Sequence, residues 1–226
     1  MQIAGCAALE KIDLRMLLEE DAPACETVNE GDASGKGELK MFQIDAYGIG
    51  WLDTIRDSRD DPCLHGYAAA RIGGRLLAYD ATVSATALYL LKTLTEDHLI
   101  YEDNQLLPCC GFSVYPDQSG ENVVIIGCPN GVDWTVLHEG SMVRLILEDG
   151  TETVISLADY TKEVLRFVES IEAYYRASPA KSEMEDELDR EGWQLFWEEW
   201  HRRRSAAETA LCAMQDGERR GKTDRA

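Results

Sequence analysis

No stretch of this 226-residue sequence comes near the run of about 18 apolar residues that a membrane-crossing helix needs. Its first residues, Met1-Gln2-Ile3-Ala4-Gly5, lack the basic and apolar regions of a secretory signal, so a cytoplasmic location is expected. Bases are scarce. Twenty-two Lys and Arg stand against 42 Asp and Glu, a net charge of −20. A surface of that sign is repelled by nucleic acid and by anionic lipid, which removes both as expected partners and favours a basic protein instead. Catalytic signatures are missing too. None of His65, His98, His138 and His201 lies in an HExxH context, and no GxSxG, Walker or GxGxxG loop occurs.

Cysteine is present but unpatterned. Cys6, Cys25, Cys63, Cys109, Cys110, Cys128 and Cys212 are odd in number and scattered, with no CxxC. Reduced thiols are therefore expected rather than a disulfide framework. The one cluster, Cys109, Cys110, Cys128 and His138, has the wrong rhythm for zinc, because adjacent cysteines seldom serve one ion. Its plain reading is small buried side chains. The reading kept beside it is a thiol- or metal-dependent hydrolase using these four residues. No cofactor is implied.

What the sequence does hold is an ordinary globular balance, 45% apolar and 28% charged, in a chain long enough to bury a proper core. The first 200 residues carry 38 acids and 15 bases and the last 26 carry 4 and 7, so the acidity belongs to the folded body. Residues 7–20 have the spacing of a short amphipathic helix, and the glycine-rich 21–40 reads as a linker. Residues 41–204 then read as an α+β core domain with a C-terminal aromatic helix, and 205–226 as a helix end and polar tail, frayed after Asp216.

Within the core, strands are expected over 41–49, 63–72 and 75–80, the last two joined by a Gly73-Gly74 hairpin turn. Ser84 is the expected N-cap of a helix through about Glu96. Gly111–Tyr115 and Val123–Cys128 flank the turn Pro116-Asp117-Gln118-Ser119-Gly120, which places Cys110 opposite Cys128. Strands at 132–138, 142–147 and 151–156 follow with short glycine turns, so the fold class is α+β, an antiparallel β-meander packed against several helices. One sheet of about five or more strands is expected, against helices at 84–96, 158–176 and 190–214. Ser156 and Asp159 have the spacing of a capping box. Trp193, Phe196, Trp197 and Trp200 share one helix face, read as a docking stripe onto the body, with a partner-binding adaptor stripe as the alternative. His201-Arg202-Arg203-Arg204 is read as pairing with local acids or capping a helix end. In Pro129-Asn130-Gly131-Val132-Asp133-Trp134, Asp133 is read as serving the turn and Trp134 as core.

From residue 63 onward the chain resembles small bacterial proteins through Cys63-Leu64-His65-Gly66, Thr82 to Leu91, Leu107-Pro108-Cys109-Cys110-Gly111, Gly127 to Trp134, and Phe196 to Arg204. In general character it is similar to the immunity proteins of bacterial polymorphic-toxin systems. That resemblance implies a small, cytosolic, acidic, non-enzymatic α+β protein that binds and blocks one cognate toxin domain. A basic toxin domain is commonly a nuclease, because it must meet phosphate. Charge steering then picks the exposed loop acids Asp57, Asp60, Asp61, Glu102, Asp103, Asp117 and Glu121 as expected partner contacts.

Overall fold

A computed structural model of the protein describes residues 40–51, 62–101, 104–111, 113–180, 184 and 186–223, with side chains described up to residue 215. The helix expected over 7–20 and the linker up to residue 39 lie outside the described residues, as does all of 52–61.

The chain opens with three antiparallel strands, β1 (Phe42–Gly50), β2 (His65–Ile72) and β3 (Arg75–Thr82), in spatial order β1-β2-β3. Strand β2 alternates as a half-buried strand should: Gly66, Ala68, Ala70 and Ile72 face inward. Gly73 and Gly74 close the β2–β3 hairpin with φ of 54° and 85°, the left-handed pair that a two-residue turn demands.

Strand β3 runs straight into helix α1 (Val83–Lys92), of which every residue from Val83 to Leu91 is buried. A helix buried all round is the centre of a core, not a surface element. The N-cap is Thr82, not Ser84. The hydroxyl of Ser84 is instead taken from outside the helix, by the Leu64 N–H at 3.3 Å. The helix also stops at Lys92, short of the expected Glu96.

Beyond it come β4 (Leu107–Pro108), β5 (Ser113–Pro116), β6 (Val123–Ile126), β7 (Gly131–Val132), β8 (Thr135–Glu139), β9 (Met142–Ile146) and β10 (Glu152–Ser156). The last three form the expected meander, in order β10-β9-β8. The single large sheet does not form. The described strands make two three-stranded sheets and two two-stranded ones, β4 with β7 and β5 with β6. The physical reason is visible at Asp133. The strand expected over 132–138 breaks there, because the Asp133 carboxylate is drawn to His98 Nε2 at 2.8 Å and the Leu106 N–H at 3.1 Å. Trp134, next in the chain, is fully buried.

Helix α2 (Leu157–Ala177) starts where Ser156 Oγ accepts the Asp159 N–H at 3.1 Å and donates to Asp159 Oδ2 at 2.7 Å. It buries Tyr160, Val164, Phe167, Val168 and Ile171 and ends at Ser178-Pro179. Helix α3 (Glu187–Thr223) continues through the segment expected to fray. Its Trp193, Phe196 and Trp200 are buried, and half-buried Trp197 meets the Tyr175 ring edge-on at 4.8 Å, so the aromatic stripe faces the body. The basic run pairs with acids: Arg203 with Glu199 and Glu96, and Arg204 with Glu169, Glu172 and Glu208.

Four short sheets leave many edges, and each unpaired edge carries backbone groups that need partners. Helix side chains supply them at β1 and β6, and the loop after α1 does so at β8. On the outer edge of β1, the Ile44 N–H donates to Glu163 Oε1 at 3.1 Å and the Ile44 carbonyl accepts from Arg166. On β6, the Val123 N–H donates to Glu199 Oε2 at 2.7 Å and the Val123 carbonyl accepts from Lys92 Nζ at 3.0 Å. On β8, residue His98 exchanges both backbone hydrogen bonds with Val136, and the His138 N–H donates to Asp97 Oδ1 at 2.8 Å.

A Cβ at Gly192 would run into the Val114 carbonyl of β5. Gly192→Ala is therefore expected to lower stability in urea unfolding by about 1–3 kcal/mol, from overpacking, against the gain of about 1 kcal/mol that alanine brings to an unobstructed helix. Burial pushes the Glu163 carboxyl up, but Arg166, the Ile44 N–H and Lys40 together hold it below the usual carboxylate value. A depressed folded pKa gives stability that is present above the unfolded value of about 4.3 and lost as pH falls through the folded value. The melting temperature should fall on acidification below about pH 4.3, and Glu163→Gln, melted across the same pH series, should show a shallower fall.

Candidate functional site

Of the seven acids expected to meet a partner, Asp57, Asp60, Asp61, Glu102 and Asp103 lie outside the described residues. Asp117 and Glu121 are described, and both sit in the β5–β6 turn. They do different work. Asp117 Oδ1 accepts from the Ser119 N–H at 3.0 Å, the Ser119 hydroxyl at 2.6 Å and the Asn122 N–H at 3.4 Å, while Oδ2 accepts from Asn122 Nδ2 at 3.2 Å. These donors, the Ser119 hydroxyl foremost, hold its carboxyl well below the usual range. Asp117 thus shapes the tip. Glu121 is exposed, and among the described residues its contacts are through the backbone: its N–H donates to Ser119 Oγ and its carbonyl accepts from Arg202 at 2.9 Å.

The hairpin behind that tip has two unlike faces. Val114, Val123 and Ile125 are buried on the inner one. Val124 is 46% exposed and Ile126 56% exposed on the outer one, with half-buried Tyr115 paired to Val124 across the strands. Helix α3 backs the inner side, from Gly192 at Val114 to Arg202 at the tip. Periodicity does not point to this face, since Val123 to Ile126 is an uninterrupted apolar run, which by itself reads as a strand buried on both sides.

Elsewhere the cations are turned onto carboxylates of the same chain. Arg75 pairs with Asp149, Arg144 with Glu139 and Glu152, Arg166 with Asp45 and Glu163, Arg176 with Glu169 and Glu172. Exposed acids remain on the surface, among them Asp80, Asp186, Glu187 and Glu191. The first turn of α3 carries Glu187 and Asp189, which suits the positive end of its helix dipole.

The cysteine cluster is partly assembled. Cys109, Cys110 and Cys128 come together between the ends of β4–β7 and β5–β6, and Cys110 Sγ accepts the Cys128 N–H at 3.0 Å. All three are half-buried rather than fully buried as expected; among the described cysteines, Cys63 is buried and Cys212 exposed. His138 is not part of the group. It is held by Asp97, through its N–H and through Nδ1 at 2.9 Å. Among the described residues, no group of three or more His, Cys, Asp or Glu is arranged to hold a metal ion. Among the same residues, no helix is long and apolar enough to cross a membrane.

Asp133 anchors the loop beside this cluster, and its side chain is buried with that of His98. Asp133→Ala would leave the Leu106 N–H without its acceptor and remove the contact to His98 Nε2. The expected cost is about 2 kcal/mol in chemical denaturation, the usual charge of stranding buried donors, while Asp133→Asn, which keeps one carbonyl, should cost less.

The chain matches no protein-family model, no curated protein and no solved structure.

Proposed function

We propose that this protein is an acidic, non-enzymatic inhibitor of the immunity type, which binds a basic domain of a cognate toxin, a nuclease by class. The observation that supports it is the disposition of charge: Arg144, Arg166, Arg176 and Arg204 are turned onto the chain's own carboxylates, exposed acids such as Asp80, Asp186 and Glu187 remain, and the sequence carries −20 overall. Such a field attracts a basic surface from a distance and repels nucleic acid, so the inhibitor reaches the basic cleft without competing for its substrate.

Charge alone does not make a tight complex. Affinity needs an apolar centre that is dried on contact, ringed by polar groups. The outer face of the β5–β6 hairpin offers Val124 and Ile126 as that centre, with Tyr115 beside them and Glu121 at the rim. The loop acids Asp57, Asp60, Asp61, Glu102 and Asp103 would add to the steering field, and Asp117 would act through the shape of the tip.

The test is affinity capture on the tagged full chain, from lysate of its source, at low and then high salt, followed by kinetics with the captured partner. The expected outcome is one stoichiometric partner with a basic domain. Glu121→Lys should slow its association about threefold to tenfold at low salt, with the difference closing at high salt. Ile126→Asp should speed dissociation. A partner whose binding ignores salt and both substitutions would overturn this reading.

A further inference from the structure

The three-thiol cluster takes no part in the proposed complex, yet its construction is specific. Two backbone segments are pressed together to make it. The Cys109 N–H donates to the Asn130 carbonyl at 3.0 Å, and Pro108 pairs with Gly131. A Cβ at Gly127 would overlap the Cys110 carbonyl, and one at Gly131 would crowd the Leu107 carbonyl, so both positions need glycine for the approach. The result seats Cys110 Sγ on the Cys128 N–H, across 18 residues of chain. The Cys128 thiol belongs to the same cluster and, like those of Cys109 and Cys110, is half-buried.

That environment favours the thiolate. Burial pushes the Cys128 thiol up, and the hydrogen bonds from Asn130, Cys110 and Cys109 outweigh it, leaving the group below its ordinary value. Half-buried rather than sealed, it remains open to a small reagent.

We infer that Cys128 and Cys110 form a thiol site that reduces hydroperoxides, with Cys128 as the attacking sulfur and Cys110 as the resolving one. The Cys128 thiolate attacks one oxygen of the peroxide. An S–O bond forms as the O–O bond breaks, and the departing oxygen takes up the proton that Cys128 released, giving a sulfenic acid and an alcohol or water. Cys110 sulfur then attacks the sulfenic sulfur. The S–S bond forms, the S–O bond breaks, and hydroxide leaves as water with the proton of Cys110. Two thiols supply the two electrons that the peroxide consumes. Cys109, adjacent in sequence to Cys110, acts as a hydrogen-bond donor to the thiolate rather than as a partner in the bond.

Hydrogen peroxide on the reduced full chain is the probe, with peptide mapping under non-reducing conditions. The expected product has lost two hydrogens in mass and carries a Cys110–Cys128 crosslink. Cys128 should oxidise about tenfold or more faster than the exposed Cys212, as an activated thiol does beside an ordinary one. In Cys110→Ser, a dimedone-type trap should label Cys128 as sulfenic acid, and in Cys128→Ser the crosslink should vanish. A crosslink between any other pair, no crosslink, or equal oxidation of Cys128 and Cys212 would overturn the assignment. The wild-type map alone decides this if a variant does not fold. Salt-dependent partner binding is measured separately, so neither reading stands or falls with the other.

Discussion

The fold depends on buried carboxylates that take the place of missing strands. Glu163 and Glu199 sit on different helices, yet each does the same thing. Each accepts the N–H of one edge-strand residue, Ile44 or Val123, while a nearby cation, Arg166 or Lys92, covers that residue's carbonyl. A carboxylate and a cation together present the acceptor and the donor that a neighbouring strand would have presented. Glu199 is fully buried and is neutralised from a second side by Arg203 at 2.7 Å. A lone charge so placed would be very costly, and removing one partner of a buried pair typically costs about 3–5 kcal/mol. The arrangement is tolerable because the backbone groups and cations leave little of the carboxylate unsatisfied.

This device explains how a protein of four small sheets holds together. A two-stranded hairpin alone is marginal in water. The β5–β6 hairpin persists because α3 is fastened to it at three levels: Gly192 against Val114, Glu199 at Val123, and Arg202 at the turn. Arg203 and Lys92, recruited to Glu199, are partly buried, whereas Arg75 and Arg176 pair with carboxylates at the surface.

Local features of the fold were legible in the sequence. Gly73-Gly74 announced its hairpin because no other residue type takes two left-handed positions so readily. Ser156 and Asp159 announced a helix start, and the Trp193 to Trp200 spacing announced a buried face. The misses are long-range. Ser84 looked like a cap and instead serves Leu64, a residue 20 positions earlier. The strand at 132–138 looked continuous and is broken by a carboxylate bonded to residues 35 and 27 positions away. Glu163 and Glu199, which meet strands 119 and 76 residues distant, look like any other helix acid in a sequence with 42 of them. For the candidate site, the turn acids were readable as a class. That Asp117 is spent on its own turn while Glu121 keeps its carboxylate in solvent follows from bond directions that spacing does not encode.

Edge closure by side chains also bears on recognition. Had a further strand covered β6, its apolar outer positions would have extended into a broader sheet. Because side chains close the edge from the inner side, Val124 and Ile126 stay uncovered while the backbone beneath them is pinned by Glu199, Lys92 and Asn104. An exposed apolar face on a mobile hairpin would lose much of its binding energy to ordering, whereas one held from behind has already met that cost during folding. The buried ion pairs that stabilise the hairpin are therefore the same groups that would make its outer face ready for a partner.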